Sequence, residues 1–381
     1  MGERKIAEAF PVGEFIKEEL EARNWSQMEL AEIIGRQPSV VSDLILGKRS
    51  MSPELAKAFG RAFNTDAEYW MNLDTIYQLW RMQDSDDVIS RRARLYQIAP
   101  IKEMTKRHWI EASENIDVLE KRVMEFFNIK SLDEPIDLPC AARKKTGDIL
   151  TSHKAWFCRA KQLARAVDAR AFSDQSFKDA LPKLKNLLHN TVEIRHIPKI
   201  LAEAGIRLVI IEQLSPSGID GVTLWLDETS PVIALSLRLD RIDGFWFTLA
   251  HELGHIKRRD GLRRKPILDI HIVSEGGENL EKHEIEEQVN SFAADFLVPR
   301  SELDNFILRI RPLYGKQKII NFAKTMGVHP GIVVGQLQFR GEIDWSVHRK
   351  LLDKVKHIIT QSALTDGWGQ ILPIFSDKEA A

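Results

Sequence analysis

Residues 245–255 read Phe-Trp-Phe-Thr-Leu-Ala-His-Glu-Leu-Gly-His, an apolar run that ends in the pattern H-E-x-x-H. On a helix, His251 and His255 are four residues apart and project from one face, one turn above the other. Two imidazoles in this arrangement can bind one Zn²⁺, and Glu252 is near enough to act on a metal-bound water. The opposite face carries the apolar residues Phe245, Leu249, Leu253 and Ile256. The stretch therefore predicts a core helix with a metal-binding edge.

A metal site competes here with a pair of hydrogen-bonded structural histidines, and two observations favour the metal. An unpaired imidazole on a strongly apolar helix would be costly to bury. Asp243 stands just before the apolar run, where an N-cap residue belongs, so the helix has a start signal of its own. The short pattern also arises by chance, so the interpretation needs a third ligand elsewhere in the chain.

The whole chain has 381 residues, which predicts two or three domains. Its 44% hydrophobic and 29% charged residues are typical of a globular protein, and a formal net charge of −1 does not indicate a nucleic-acid or membrane partner. With only Cys140 and Cys158, no disulfide framework is expected and a cytoplasmic location fits. The N-terminus lacks the apolar segment of a signal peptide, and no run approaches ~18 apolar residues, so no membrane span is expected.

Residues 10–83 carry the start and stop signals of five short helices. Ser26 and Glu29 form a capping box, Gly35 ends that helix, and Pro38 begins the next. This pair makes a helix-turn-helix, whose second helix would place its first residues in the major groove of DNA. The candidate base contacts are Gln37, Ser39, Ser42 and Asp43. The candidate phosphate contacts, which position the protein without reading sequence, are Gln27, Lys48 and Arg49.

The N-terminal region is slightly acidic, whereas a DNA-binding domain is usually basic. Residues 1–100 carry 13 Lys and Arg against 16 Asp and Glu. One interpretation is therefore a degenerate helix-turn-helix kept for dimerisation or protein contact.

The N-terminal pattern S-Q-x-E-L-A…G…S-x-V-S-x-L-x-x-G-K-R resembles the lambda-repressor-like (XRE) helix-turn-helix family. The next residues, P-E-L-A-K-A-F-G-R-A-F…Y-W-M-N-L, are similar to HigA-type antitoxins of addiction modules. The resemblance covers about residues 10–85. It implies a five-helix domain that binds double-stranded operator DNA as a homodimer, which would double the few basic contacts. For the whole chain it implies a cognate toxin as a possible partner.

The acidic stretch Gln83–Asp87 marks a domain boundary. Residues 84–195 after it are expected to form a helical connecting region, in which no motif indicates a catalytic or binding site.

In residues 196–345, three β-rich runs at 206–211, 222–226 and 232–236 precede the H-E-x-x-H helix. They predict a small antiparallel sheet, which would offer an edge strand to an extended peptide. Residues 346–381 are expected to form a C-terminal helix and tail. The fold class is thus α+β and mostly helical.

The third metal ligand is expected in the stretch 284–299. Glu286 and Asn290 are one turn apart on one helix face, as a carboxylate ligand and its polar supporting partner would be. Glu287 and His283 stay open as alternatives, because the segment after His255 is long and does not fix the register. A charged, solvated helix face is the other interpretation. The intervening segment, basic at 257–265 and acidic at 275–287, is either an exposed loop or a mobile lid.

The pattern G-x-x-L-W-L…P-V-I-x-L-S…R-x-D-x-F-W-F-T-L-A-H-E-L-G-H…E-x-x-x-N-x-F-A-A-x-F-L-V-P resembles the ImmA/IrrE metallopeptidases over about residues 150–300. The resemblance implies a zincin-like fold, zinc on His251, His255 and Glu286, and Glu252 as the general base. Family members cleave repressors or related regulators. Gln288 and Val289 stand where the family commonly has Glu and Ala.

These patterns together predict a DNA-binding transcriptional regulator of the antitoxin type that carries a zinc-dependent endopeptidase domain. Two alternatives stay open. In one, the chain neutralises a toxin or senses a partner without cleaving peptides. In the other, it is a protease whose N-terminal domain only docks the substrate.

Overall fold

The computed structural model of the protein describes residues 9–81, 86–134, 136, 151–214, 218–262, 268–270, 280–368 and 370–372. These residues form seventeen α-helices and six strands, so the mostly helical α+β class is confirmed. The chain divides into two compact units, Met1–Arg94 and Leu95–Ala381. In the described ranges, no helix is both long and apolar enough to cross a bilayer.

Five helices build the N-terminal unit, as the sequence predicts: α1 Val12–Arg23, α2 Gln27–Ile33, α3 Pro38–Ile45, α4 Pro53–Phe63 and α5 Ala67–Arg81. A sixth, α6 (Asp86–Ile98), follows and crosses the boundary between the units. The capping box at the start of α2 is formed: the Glu29 amide donates to Ser26 Oγ, and the Ser26 amide donates to the Glu29 carboxylate at 2.7 Å. Gly35, at φ 65°, turns the chain between α2 and α3. The core of this unit includes the fully buried Ile16, Leu30, Leu44, Phe59 and Trp70.

The second unit contains the remaining helices and all six strands. Its helices are α7 Ile101–Lys106, α8 Ile116–Phe127, α9 Thr151–Arg165, α10 Asp174–Lys185, α11 Ile197–Glu203, α12 Ile242–Arg258, α13 Leu280–Leu297, α14 Arg300–Ile310, α15 Lys316–Met326, α16 Pro330–Phe339 and α17 Lys356–Ile359. Its strands are β1 Arg207–Ile211, β2 Ile219–Trp225, β3 Pro231–Leu235, β4 Leu268–Ile270, β5 Leu364–Gly367 and β6 Gln370–Leu372.

The sheet is mixed, so the prediction that it is antiparallel is wrong. Its strand order is β4-β2-β3-β1-β5-β6, and β1 runs parallel to both β3 and β5. Because β4, β5 and β6 add to the three strands read from the sequence, β1, β2 and β3 are all interior. The expected edge strand is therefore not one of those three; the edges are β4 and β6.

The predicted C-terminal tail contains the interior strand β5 and the edge strand β6. Thr365 and Asp366 are buried in β5. The Asp366 carboxylate accepts a hydrogen bond from Trp109 Nε1 at 2.9 Å and pairs with Arg159, and the Asp366 carbonyl accepts from the Glu212 amide. These partners come from distant parts of the chain, and they hold a segment whose own composition reads as a loop.

Helices cover both faces of the sheet. Successive residues of a strand point to opposite faces. In β1, Ile210 belongs to the core that contains Trp246 of α12, whereas Val209 belongs to the core that contains Trp156 of α9. The H-E-x-x-H helix thus lies against one face of the sheet, with a continuous apolar core behind it.

Candidate metal centre

The motif residues of α12 are buried although they are polar. His251, Glu252 and His255 are 2%, 0% and 1% exposed. The helix begins at Ile242 with Arg241 at its N-cap, and no side chain caps it. The expectation that Asp243 is the N-cap is therefore wrong: Asp243 is the second residue of the helix, and its carboxylate forms an ion pair with Arg241 at 2.7 Å.

Helix α13 passes close to α12 because of Gly254. A Cβ at Gly254 would lie 2.8 Å from Val289 Cγ1, so the two helices can approach this closely only at a glycine. The approach brings Glu286 to the histidines: its Oε2 is 3.4 Å from His251 Nε2, and its Oε1 is 3.9 Å from His255 Nε2. His251, His255 and Glu286 form one cluster whose ligand atoms lie within 4.8 Å of one another.

The other nitrogen of each imidazole is held by an oxygen acceptor. His251 Nδ1 lies 3.0 Å from Asn290 Oδ1, where the sequence places the supporting partner. His255 Nδ1 lies 2.9 Å from Asp260 Oδ2. Such contacts fix the tautomer and orientation of a metal-binding histidine. The sequence does not indicate a role for Asp260, because nothing in the motif shows that the chain turns back after α12.

The electrostatics of this cluster fit a divalent cation. An ionised carboxylate only accepts hydrogen bonds, so His255 Nδ1 carries the proton and Nε2 presents its lone pair. With an amide oxygen at His251 Nδ1, the same holds for His251, and the two Nε2 atoms are 3.0 Å apart. Two lone pairs and a carboxylate thus converge on one point. Two nitrogens and one oxygen form a donor set that Zn²⁺ takes in catalytic sites, where the fourth position is left to water or substrate.

The negative charge around His255 also favours a cation at this site. Burial by itself lowers the pKa of His255, but the hydrogen bond to Asp260 and the charges of Glu252 and Glu286 raise it above its usual value. Burial raises the pKa of Asp260, but its contacts with His255 and Arg258 lower the pKa by more, so that the pKa of Asp260 lies below its usual value. A cation at Nε2 is therefore favoured by its surroundings.

Two residues of β2 whose role the sequence does not indicate hold the side chain of Glu252 in place. Thr223 Oγ1 donates to Glu252 Oε2 at 2.6 Å. A Cβ at Gly221 would lie 2.7 Å from Glu252 Oε1, so the absence of a side chain there makes room for the carboxylate. Strand β2 thus positions the candidate general base.

Of the alternatives for the third ligand, Glu287 is exposed on α13 and lies outside the cluster. The side chain of His283 lies outside the described residues, as does most of the candidate lid, residues 263–267 and 271–279.

The candidate DNA-contacting residues lie on α2, on α3 and in the turns that flank α3. Gln27, Gln37, Ser39, Lys48 and Arg49 are exposed, and Ser42 and Asp43 are half-buried. The amides of Lys48 and Arg49 both donate to the Asp43 carbonyl, which holds these two cations just beyond the end of α3.

Comparison with known proteins identifies the N-terminal part first. Residues 16–70 match the family model described as Helix-turn-helix. The chain is 32% identical over 83 residues to the uncharacterized HTH-type transcriptional regulator YddM of Escherichia coli (strain K12), a match that covers 22% of this chain and 87% of YddM. The chain belongs to the family of HTH-type transcriptional regulators. An uncharacterized regulator of the same type from Haemophilus influenzae is 30% identical over 73 residues, 19% of this chain and 68% of that protein.

A second family model matches the part that holds the metal cluster. Residues 202–337 match the peptidase family described as IrrE N-terminal-like domain. The regulator therefore carries a peptidase-family domain, and the resemblances to helix-turn-helix proteins and to the ImmA/IrrE family are confirmed.

Two solved structures are similar to part of the chain. A Pseudomonas aeruginosa protein in complex with its operator DNA is 29% identical, with 20% of this chain and 85% of that chain covered and a TM-score of 0.20. A HigA-family addiction module antidote protein from Coxiella burnetii is 21% identical, with 28% and 97% covered and a TM-score of 0.19.

Proposed function

We propose that this regulator is a zinc-dependent endopeptidase joined to an operator-binding domain, and that its substrate is a regulatory protein. The observation that carries the proposal is the convergence of His251, His255 and Glu286 beside the buried carboxylate of Glu252. A peptidase of this kind needs three protein ligands, an open position and a base next to it.

Each residue of the centre has a distinct part in the proposed reaction. Zn²⁺ held by His251, His255 and Glu286 would supply Lewis acidity to a water molecule and to the peptide carbonyl. The carboxylate of Glu252 accepts the proton that the attacking water loses and passes it to the leaving amine. Thr223 keeps that carboxylate in place through Oε2. Asn290 and Asp260 keep the two imidazoles aimed at the metal position.

The decisive experiment uses Glu252→Gln, which keeps the shape of the side chain and removes the base. We expect the variant to bind one zinc per chain and to bind DNA like the wild type, while cleavage falls by about 100-fold or more. Glu287→Gln, an exposed position on α13, is the matched control and should cleave normally. Protein purified without chelator that contains no stoichiometric zinc would overturn the proposal.

The N-terminal unit is proposed to bind double-stranded operator DNA through α3. Gln37 and Ser39 are exposed at the start of α3, where a recognition helix meets base edges. Binding to the DNA upstream of its own gene, measured at low salt against unrelated competitor DNA, tests this. Equal affinity for both DNAs, or none, would instead favour a domain that docks the protein substrate.

A homodimer is proposed on the surface of α5. Ile76 and Leu79 of this helix are 40% and 64% exposed, and the rings of Tyr77 and Trp80 stack beside them at 6.3 Å. Clustered exposed apolar side chains indicate a protein contact. Two copies joined here would give two α3 helices for two half-sites.

An antitoxin role is the second candidate, supported by the HigA-like pattern of residues 53–73. In this case the chain neutralises a toxin, and its metal domain need not cleave anything. Co-expression with the neighbouring short reading frame tests it: growth arrest by that product alone, relieved equally by the wild type and by Glu252→Gln, would establish neutralisation without catalysis.

A further inference from the structure

A cavity of about 480 Å³ opens beside the first half of α12. It shares two residues with the surroundings of the metal cluster. Thr248 lies one turn before His251 and also lines the cavity, and Asn290 both lines it and binds His251 Nδ1. The cavity therefore lies beside the candidate peptidase centre.

A line of aromatic rings leads from that centre to the cavity mouth. The Phe247 ring is 6.4 Å from the His251 imidazole and 6.1 Å from the Phe339 ring. At the mouth, Phe339 is 71% exposed, Trp345 56% and Leu239 45%. Three large apolar side chains around one opening form a patch of the kind that marks a binding site.

Six of the seven charged side chains of the wall are in ion pairs, and the seventh, Asp295, accepts a hydrogen bond from the Arg300 amide at 3.0 Å. Arg238 donates two hydrogen bonds to the Asp220 carboxylate, at 2.7 Å and 2.9 Å. Arg241 donates two to Asp243, at 3.0 Å and 2.7 Å. Arg300 and Arg340, the other two arginines of the lining, both lie by Asp304. An anionic guest would have to displace one of these ion pairs and a cationic guest could reach only Asp295, whereas an apolar guest needs neither.

We infer that this cavity is the subsite that receives a large apolar side chain of the peptide, next to the bond that is cleaved. The inference rests on the proposed peptidase function and names its substrate class: segments with Leu, Met, Phe or Trp beside the scissile bond. The volume of the cavity lies within the range of ligand pockets in proteins, roughly 300–1,000 Å³. Burial of such a side chain is worth about a ten- to hundredfold gain in affinity over serine.

The test separates binding from cleavage. Fluorescein-labelled peptides that are identical except at one central position (Phe, Leu, Ser, Asp or Lys) are titrated into the full-length, zinc-loaded Glu252→Gln variant and followed by anisotropy. We expect the Phe and Leu peptides to bind about tenfold more tightly than the Ser peptide or better, and the Asp and Lys peptides to bind no better than Ser.

Two further variants connect the preference to the cavity. Ala294→Leu adds side chain at a half-buried position of the lining and should abolish the preference for Phe and Leu. Phe339→Ser should reduce it. Leu308→Ser, at an 80% exposed position of α14 outside the lining, is the matched control and should leave it unchanged.

Cleavage of the same peptides by the wild-type chain is measured in parallel. If no peptide is cut but the preference is present and is lost in Ala294→Leu, the peptidase function fails and the subsite stands. Cleavage without the preference overturns the subsite. Two other results would also overturn the subsite. One is binding of the dye 8-anilinonaphthalene-1-sulfonate in the cavity while all the peptides bind equally well. The other is a change of oligomeric mass in Phe339→Ser, which would assign this face to a second copy.

Discussion

His255 Nδ1 lies 2.9 Å from Oδ2 of Asp260, five residues further along the chain. The left-handed backbone of Arg259 ends α12 and turns the chain, so that the Asp260 amide also donates to the His255 carbonyl. The carboxylate thus reaches the imidazole from beyond the helix end. This geometry leaves Nε2 as the atom that faces His251 and Glu286.

Removal of this support should weaken zinc binding without unfolding the unit. We expect Asp260→Ala to lower zinc affinity by about 10- to 100-fold, because the imidazole loses its fixed tautomer and orientation. Competition with a chromophoric chelator measures the affinity. Asp174→Ala is the control, since Asp174 pairs with the neighbouring Arg259 at 2.9 Å and contributes no ligand or acceptor to the metal cluster. Equal zinc affinity of Asp260→Ala and the wild type would contradict the role of Asp260.

Gly221→Ala should impair cleavage while zinc stays bound. The new Cβ would lie 2.7 Å from Glu252 Oε1, so the carboxylate has to move away from its position. A displacement of about 1 Å in a catalytic group can cost about 100-fold in rate, and we expect a loss of this order with one zinc per chain retained.

Gly315→Ala is the matched control for Gly221→Ala. A Cβ at Gly315 would meet no described atom within 4 Å, and the residue is the N-cap of α15, outside the metal cluster and the cavity lining. We therefore expect this variant to cleave like the wild type. An equal loss of activity in both variants would mean that an added methyl group is harmful wherever it is placed.

What the sequence predicts well in this protein is local. The capping box of Ser26 and Glu29, the stop at Gly35 and the spacing of His251 and His255 involve neighbours within one helical turn or one short loop, and the structure has them as expected. Residue spacing also indicated Glu286, because Asn290 lies one turn away on the same face.

What the sequence did not predict depends on distant pairing. Strand β5 consists of Leu-Thr-Asp-Gly, without an alternating pattern, and it becomes a strand because β1 offers it a parallel partner. Thr223 and Gly221 reach Glu252 only after β2 has packed against α12. Without the pairing of β2, nothing in Gly-Val-Thr indicates that it positions a base.

The proposed dimer is tested by Leu79→Glu on α5. A charge at this 64% exposed apolar position would have to be buried without a partner in the interface, so we expect light scattering to show a monomer. Operator affinity should fall by at least about 100-fold, since each copy then contacts one half-site. Leu308→Glu on α14 should change neither mass nor affinity, and a dimer that persists in Leu79→Glu would exclude this surface.

Acid should destabilise the second unit partly through His329. This residue caps α16: its Nδ1 accepts from the Gly331 amide at 3.1 Å, and its Nε2 lies 3.3 Å from Asp353. Burial lowers the pKa of His329 below 6.5, although Asp353 opposes the shift. The unfolded chain therefore binds this proton more readily, so the stabilisation is complete above about pH 6.5 and is lost as the pH falls below it.

His329→Asn keeps a capping acceptor and removes the titration. We expect the difference in unfolding free energy between pH ~7.5 and ~5.5 to be smaller in this variant than in the wild type. His357→Asn, at an exposed histidine of α17, serves as the control and should retain the wild-type difference. An unchanged pH dependence in His329→Asn would assign the acid sensitivity to other groups.

Lys48 and Ser39 should affect DNA binding in different ways. Lys48 is held just beyond the end of α3 and is expected to contact a phosphate, whereas Ser39 lies in the first turn of α3, where base edges are read. Lys48→Ala should weaken binding to operator and unrelated DNA alike and reduce the slope of log K against log salt by about one. Ser39→Ala should leave that slope unchanged and reduce the preference for the operator by about 1–3 kcal/mol. Lys57→Ala, exposed on α4, controls for loss of charge alone. If Lys48→Ala and Lys57→Ala reduced the slope equally, the basic side chains would act through the overall field of the unit and not through the placement of α3 in the groove.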